Sequence, residues 1–274
     1  MRWSVVVPYY NEAVEIAAML HSVALQTVRD FHLIVVDNAS TDDSEAQCRL
    51  ALSAYPDITV SYLREPNPGQ VHALRRGIAA VRTEFVAVCD ADTYYPGFYL
   101  ENATRVYDRE GSNCVAAMGY LRHARDHGSF ADKFNTWHWL TAAKVWPQQN
   151  HTSGAGHTFR TAALREAGGY DPAIWPYVLK DHELMSRVLR LGHQAYNRDL
   201  WCISSDRRTD RTSVRWTLGE RLLYHFAPIR DKRPFFQTFL KRRFEARGQL
   251  DTVLRERAWQ VSAEASAEAL AQTA

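Results

Sequence analysis

The stretch that decides the fold is Phe85-Val86-Ala87-Val88-Cys89-Asp90-Ala91-Asp92, followed by Thr93-Tyr94-Tyr95-Pro96. Apolar, β-branched residues run together and stop at two acids. That is the pattern of a buried strand in a mostly parallel sheet, where both faces are covered. Ligands of such sheets sit beyond the carboxyl ends of the strands. Asp90 and Asp92 would then be delivered to a ligand. Two carboxylates one residue apart can share a hard divalent cation, whose open positions take phosphate oxygens. A strand-ending Asp followed by a helix-capping Asp would give the same letters, so the neighbours of this stretch have to decide.

Upstream, three further segments repeat the theme. Trp3 to Pro8 is too apolar for a surface edge and ends in Pro8-Tyr9-Tyr10-Asn11-Glu12. Ile16, Met19, Leu20, Val23 and Ala24 then recur at helical spacing, which predicts a helix from Glu12 to about Thr27. Phe31 to Val36 is a second strand ending in Asp37, and Asn38 to Ser44 is a polar turn rich in helix caps. Ile58 to Leu63 is a third strand. Pro66-Asn67-Pro68-Gly69 breaks the chain before a helical stretch from Val71 to Val81. Alternating strands and helices predict a parallel sheet with right-handed crossovers. No Gly-x-Gly-x-x-Gly or Gly-Lys-Ser/Thr loop follows the first strand, which excludes the usual dinucleotide and P-loop sites. Three strand ends carry polar or acidic residues, and together they look like one composite site.

The chain has 274 residues, 46% hydrophobic and 23% charged, ordinary values for a soluble globular protein. No run is long enough to span a membrane, and Met1-Arg2-Trp3-Ser4 leads straight into a strand, so neither a signal peptide nor an anchor is expected. Cys48, Cys89, Cys114 and Cys202 lack metal-like spacing and read as reduced packing residues in a cytoplasmic protein. Arg207 to Arg257 holds 14 Lys/Arg and 6 Asp/Glu, a balance of +8, so with +2 overall the rest carries −6. That segment either meets an anionic partner or forms a solvated helical face.

Val5-Val6-Val7-Pro8-Tyr9-Tyr10-Asn11-Glu12, Val35-Val36-Asp37-Asn38-Ala39-Ser40-Thr41-Asp42 and Val88-Cys89-Asp90-Ala91-Asp92 resemble, in order and spacing, the family 2 glycosyltransferases with the GT-A fold. Asn67-x-Gly69-x-x-x-Ala73-Leu74-x-x-Gly77 is similar to the family's segment between the second and third of these. Farther on, Gly168-Gly169-Tyr170-Asp171 and Lys180-Asp181-His182-Glu183-Leu184 resemble its acceptor-side region, so the likeness covers roughly residues 4 to 200. The resemblance implies an α/β, GT-A fold: a single Rossmann-like, mostly parallel sheet flanked by helices. Residues 1–205 would form the catalytic domain, with a nucleotide-binding half (1–100) and an acceptor half (101–205). Residues 206–274 would be a basic, aromatic, mainly helical C-terminal extension.

By resemblance, Pro8, Tyr10, Asn11, Glu12, Asp37 and Ser40 hold the nucleotide of a nucleotide-diphosphate sugar, and Asp37 accepts from a base N–H. Asp90, Ala91 and Asp92 form the DXD motif that binds the metal and diphosphate, with Mg²⁺ or Mn²⁺ as cofactor. Asp181 is the expected general base that deprotonates the acceptor hydroxyl, with Glu183 in reserve. Arg207 and Arg208 could neutralise the leaving diphosphate. The chain departs from the family pattern at Lys180, where the family usually has Glu, and at Arg75, where it usually has Asn. A histidine common after the base is also missing; Ser204, Ser205 and Asp206 stand there, and Asp206 is the candidate further metal ligand. His193 and His225 lie off the pattern.

These features imply a metal-dependent, inverting glycosyltransferase, with a UDP-sugar as first guess and a glycan or lipid-linked acceptor of bacterial-type surface glycan or glycolipid synthesis. Arg215-Trp216 resembles part of the Gln-x-x-Arg-Trp of processive synthases, but Thr212 replaces Gln, so a non-processive enzyme is expected. The alternatives are a catalytically silent nucleotide-sugar binder and a sugar nucleotidyltransferase. Aromatic and basic residues interleave from Leu222 to Phe244. They form either an amphipathic surface at the inner face of the membrane or, the preferred reading, helices packed back on the core. Ser262 to Ala274 reads as frayed helix or disorder.

Overall fold

The computed structural model describes residues 1–123, 128–205, 216–226 and 231–255. Strands β1 (Trp3–Tyr9), β2 (Phe31–Asp37), β3 (Thr59–Arg64) and β4 (Phe85–Val88) are joined through helices α1 (Ile16–Ala24), α2 (Ser44–Ser53) and α3 (Gln70–Ala80). β5 (Thr93–Tyr94), α4 (Tyr99–Glu110), β6 (Cys114–His123), α5 (Phe130–Val145), β7 (His157–Arg160), α6 (Thr161–Glu166), α7 (Lys180–Val188) and β8 (His193–Ser204) follow. α8 (Leu218–Phe226) and α9 (Lys241–Ala246) close the described chain. The strands form one sheet in the order β3-β2-β1-β4-β7-β6-β8-β5.

The first four strands are mutually parallel, with Val5 opposite both Leu33 and Ala87. β7 then runs antiparallel between β4 and β6, while β8 is parallel to β6. The first hundred residues thus form the parallel sheet expected of them, and the sheet becomes mixed only beyond β4. Burial on both faces explains the unbroken apolar runs. Val5, Val7, Leu33, Val35, Phe85 and Ala87 pack into one core with residues of α1, α2 and α4. Val6, Ile34, Val36, Val86 and Val88 pack into a second, with residues of α3, α6 and α7. Each consecutive residue therefore changes face, as the strand period requires. α3 lies so close to β1 that a Cβ on Gly77 would come within 2.5 Å of Val6.

The limits of α1 differ from expectation. Glu12 to Glu15 form a turn, whose Glu12 carbonyl accepts from Ile16, so α1 starts at Ile16 and ends at Ala24. As expected, β4 stops at Val88 before the two acids, and Asp90 and Asp92 lie beyond it in a turn closed from Thr93 N–H to the Asp90 carbonyl, 3.3 Å. The described C-terminal residues pack back on the body. Phe235, Phe236, Leu240 and Phe244 form a third buried cluster with Trp175, Tyr177 and Tyr224. That is the preferred of the two sequence readings, and it holds for Phe235 to Phe244. Residues 206–215, 227–230 and 256–274, with the expectations that fall on them, lie outside the described residues.

Candidate active site

The site assembles where the parallel strands end. Among non-glycine residues described, only Asn11, Ala39 and Leu179 adopt positive φ (49°, 58° and 61°). Asn11 follows β1, Ala39 follows β2, and Leu179 precedes Lys180 and Asp181 at the start of α7. Asn tolerates this conformation, but for Ala and Leu it costs about 1–2 kcal/mol each. Strain of this kind tends to persist where surrounding structure holds a functional geometry.

The β1 and β2 ends are knitted together. Asn11 donates its backbone N–H to Ser40 Oγ (3.1 Å), and Thr41 N–H donates to Asn11 Oδ1 (2.8 Å). Glu12 is buried, and its backbone N–H donates to Ser44 Oγ (2.7 Å). Pro8 lies in β1 opposite Val36. Asp37 is buried, and its Oδ1 accepts the Ser40 N–H (2.9 Å). Arg64 approaches Asp37 Oδ2 to 3.1 Å, but no hydrogen bond aligned on that oxygen forms. That oxygen is buried and, among the described residues, its charge is met by Arg64 alone.

The sequence reading missed two residues beside this cluster. Asn38 donates to the carbonyls of Glu65 (3.2 Å) and Asn67 (2.7 Å), and its Oδ1 accepts from Gly69 N–H (3.0 Å). Arg255 lays its guanidinium 3.6 Å from the centre of the Tyr10 ring and donates to Asn38 Oδ1 (2.8 Å) and carbonyl (2.9 Å). The polar turn signalled Asn38. No local pattern could signal Arg255, which is 217 residues from its partner.

Asp90, Asp92, Lys180, Asp181 and His182 line one pocket of about 490 Å³, together with Trp139, His151, Gly154, Ser204 and Ser205. The buried Tyr95 hydroxyl joins its two walls. It accepts from Asp90 N–H (2.9 Å) and donates to the Ala155 carbonyl (3.0 Å). Gln70 Nε2 donates to Asp90 Oδ1 (3.0 Å). Ala91 is buried between the two acids, and Asp92 accepts Ser205 N–H at its carbonyl (3.1 Å). No group of three or more His, Cys, Asp or Glu converges as a metal cage among the described residues. Two hard carboxylates beyond a strand end fit Mg²⁺ or Mn²⁺ completing its shell with substrate oxygens. Asp206, Arg207 and Arg208 lie outside the described residues.

The two acids of α7 have different surroundings. Glu183 is buried and chelated by Arg187, whose Nε and Nη2 donate to its carboxylate at 2.8 to 3.1 Å. Arg187 also donates to the Ala167 and Gly169 carbonyls, so the pair ties α7 to the turn after α6. Asp181 instead opens on the pocket and accepts from the Tyr170 hydroxyl (2.8 Å). Burial pushes the Asp181 carboxyl up, but Lys180, His157, Tyr170 and His182 together outweigh it, and its pKa lies below the ordinary value. Burial pushes His157 and His182 down to about 4. At neutral pH both are uncharged, so Lys180 and Tyr170 do the holding. Lys180 is itself buried, 3.4 Å from Asp251, which also accepts Val71 N–H (2.9 Å). Arg75, the other departure from the family pattern, pairs with Asp171 at 3.3 Å. Neither His193 nor His225 lines the pocket.

A mixed sheet of this order, with acids at the ends of its parallel strands, defines the GT-A class. The chain resembles the mannosyltransferase PcManGT from Pyrobaculum calidifontis, solved in complex with GDP-Man and Mn²⁺. The TM-score is 0.67 and the identity 24%, over 99% of this chain and 80% of that one. It also resembles Staphylococcus aureus TarS residues 1–349 in complex with UDP-GlcNAc, with a TM-score of 0.58 and 20% identity over 82% of this chain and 64% of that one. The chain belongs to glycosyl transferase family 2, whose sequence profile matches residues 4–166. Among curated proteins it is 31% identical over 121 residues to an uncharacterised glycosyltransferase of Nostoc sp., covering 44% of this chain and 37% of that protein. It is 34% identical over 118 residues to the succinoglycan biosynthesis protein ExoW of Rhizobium meliloti, covering 42% of this chain and 36% of that protein. The chain thus spans less than half the length of these curated relatives.

Proposed function

We propose that the chain is a metal-dependent, inverting, non-processive glycosyltransferase. It moves a sugar from a nucleotide-diphosphate sugar to an acceptor hydroxyl in surface glycan or glycolipid synthesis. The observation that carries this reading is the convergence of Asp90, Asp92 and Asp181 on one pocket. The nucleotide lies against Tyr10, Asn11, Glu12 and Ser40, and Asp37 is the acceptor for a base N–H. Asp90 and Asp92 would hold a divalent cation, which would supply positive charge to stabilise the leaving diphosphate.

Asp181, held ionised by Lys180 and Tyr170, accepts the proton of the acceptor hydroxyl. The acceptor oxygen forms its bond to C1 of the sugar on the face opposite the breaking C1–O bond. The electron pair of that bond departs on the diphosphate, and the anomeric centre inverts. Glu183 takes no part, because Arg187 occupies both of its oxygens. UDP remains the first choice of nucleotide, and the solved neighbours with GDP-Man and UDP-GlcNAc make GDP the second to try.

The test is a thermal-shift screen of UDP- and GDP-sugars with Mn²⁺, Mg²⁺ or EDTA. A donor at a hundred times its dissociation constant stabilises the native state by about 2.7 kcal/mol. One nucleotide family should raise the melting temperature, more with metal than with EDTA. No shift from any nucleotide sugar, with or without metal, would overturn the reading.

A further inference from the structure

The outward face of α5 is apolar. Phe130, Phe134, Trp137 and Val145 are exposed, with Thr141 between the last two, at intervals of four, three, four and four residues. That spacing is one helical stripe. Phe130 and Trp137 keep 84% and 61% of their surface open. The opposite side of the helix is the packed one. Trp139 packs at an angle against Tyr120 and edge-on against Tyr196, and Asp132 and Ala143 are buried. α8 repeats the arrangement, with Leu218, Leu222 and Phe226 exposed and Glu220 and Tyr224 buried. The two helices meet at their C-terminal ends. There His225 Nδ1 lies 2.8 Å from Gln149 Oε1, and the exposed Trp146 lies 6.1 Å from the His225 ring.

The charges on these helices are sorted. Both acids turn inward and are paired, Asp132 with Arg122 (3.2 Å) and Glu220 with Arg247 (2.8 Å). Lys133, Lys144 and Arg221 are exposed. The segment from Trp146 to Ser153 contains no acid. Among the described residues of α5 and α8, then, the exposed charged side chains are all cations, beside the exposed aromatic and aliphatic ones. An exposed patch of this kind marks an interaction surface. The combination of Trp and Phe with Lys and Arg fits the headgroup layer of an anionic bilayer. No helix among the described residues is long and apolar enough to cross a membrane, so the contact would be interfacial.

We propose that the outward faces of α5 and α8 dock the protein on an anionic lipid bilayer. Their position adds a consequence that rests on the transferase reading. Trp139 of α5 and the following Asn150, His151 and Thr152 line the pocket of Asp181. α5 would thus meet lipid with its outward side while its packed side lines the pocket, which sets the pocket one helix away from the bilayer and suits an acceptor carried on a lipid.

Flotation of the full chain with vesicles, without donor or metal, tests the docking and leaves the transferase reading untouched. Phosphatidylcholine vesicles carrying about one-third phosphatidylglycerol should bring the protein up at low salt, and pure phosphatidylcholine should do so far less. Phe134→Ser with Trp137→Ser should weaken flotation at least about tenfold, as loss of inserted aromatics predicts. Lys133→Glu with Lys144→Glu should weaken it comparably, while all variants keep the wild-type melting temperature, since these side chains are exposed. No flotation of the wild type, or undiminished flotation of the folded aromatic variant, would overturn the proposal. So would a wild-type dimer in sedimentation that becomes monomeric in the aromatic variant without vesicle binding, which would make the face a contact between copies.

Discussion

Replacing Gly154 with alanine adds one methyl group where the Asp181 carboxylate already sits. An ideal Cβ at Gly154 would lie 2.7 Å from Asp181 Oδ1 and 2.9 Å from its Cγ. Unstrained heavy-atom contacts need about 3.5 Å, so the carboxylate must retreat by roughly 0.8 Å. Gly154 is not among the residues with positive φ, so the substitution acts through this clash and not through backbone strain. Retreat stretches the 2.8 Å hydrogen bond from Tyr170 that orients the carboxylate. Overpacking of this size costs about 1–3 kcal/mol of stability. Displacing a proton acceptor by nearly 1 Å costs about a hundredfold in rate. We expect Gly154→Ala to fold and to bind donor and metal like the wild type in calorimetry. Single-turnover transfer should slow by about two orders of magnitude. A variant that transfers at the wild-type rate would refute the argument that Asp181 acts from its observed position.

Two other substitutions probe the surroundings of the site. Lys180→Met removes the leading charge that holds Asp181 ionised. The base works only when deprotonated, above its pKa, so the acid limb of the transfer rate should move to higher pH; an unmoved limb would contradict the assigned role of Lys180. The same change leaves Asp251 buried without its cation and should cost about 3–5 kcal/mol in chemical denaturation. Asp37→Ala should weaken calorimetric binding of the free nucleotide by about 1–3 kcal/mol, the range for a lost hydrogen bond to a charged group. Unchanged affinity would leave Asp37 as a support for the Ser40 turn alone.

The parallel strands were legible because burial on both faces leaves continuous β-branched runs, and Val5 to Val7 and Leu33 to Val36 needed no other signal. The different surroundings of Asp181 and Glu183 were legible too, since two residues on a helix point about 200° apart and Arg187 follows Glu183 by one turn. The antiparallel pairing of β7 was not read, because a strand of four residues that slots between strands distant in sequence carries no local sign of its direction. α5 hides for a different reason. Its exposed stripe is as apolar as a core-facing one, so periodicity alone could not say which side is inward. Asn38 and Arg255 meet only through the fold, and pairing across the whole chain leaves no trace in local pattern.

Asp181→Asn tests the central claim most directly, measured for transfer and for donor binding on the same preparation. The account predicts transfer reduced at least about a hundredfold, the loss expected for removal of a general base. Donor and metal should raise the melting temperature as in the wild type. An Asp181→Asn variant that stays nearly active, beside a well-folded Glu183→Gln that is dead, would contradict the account and move the base to Glu183.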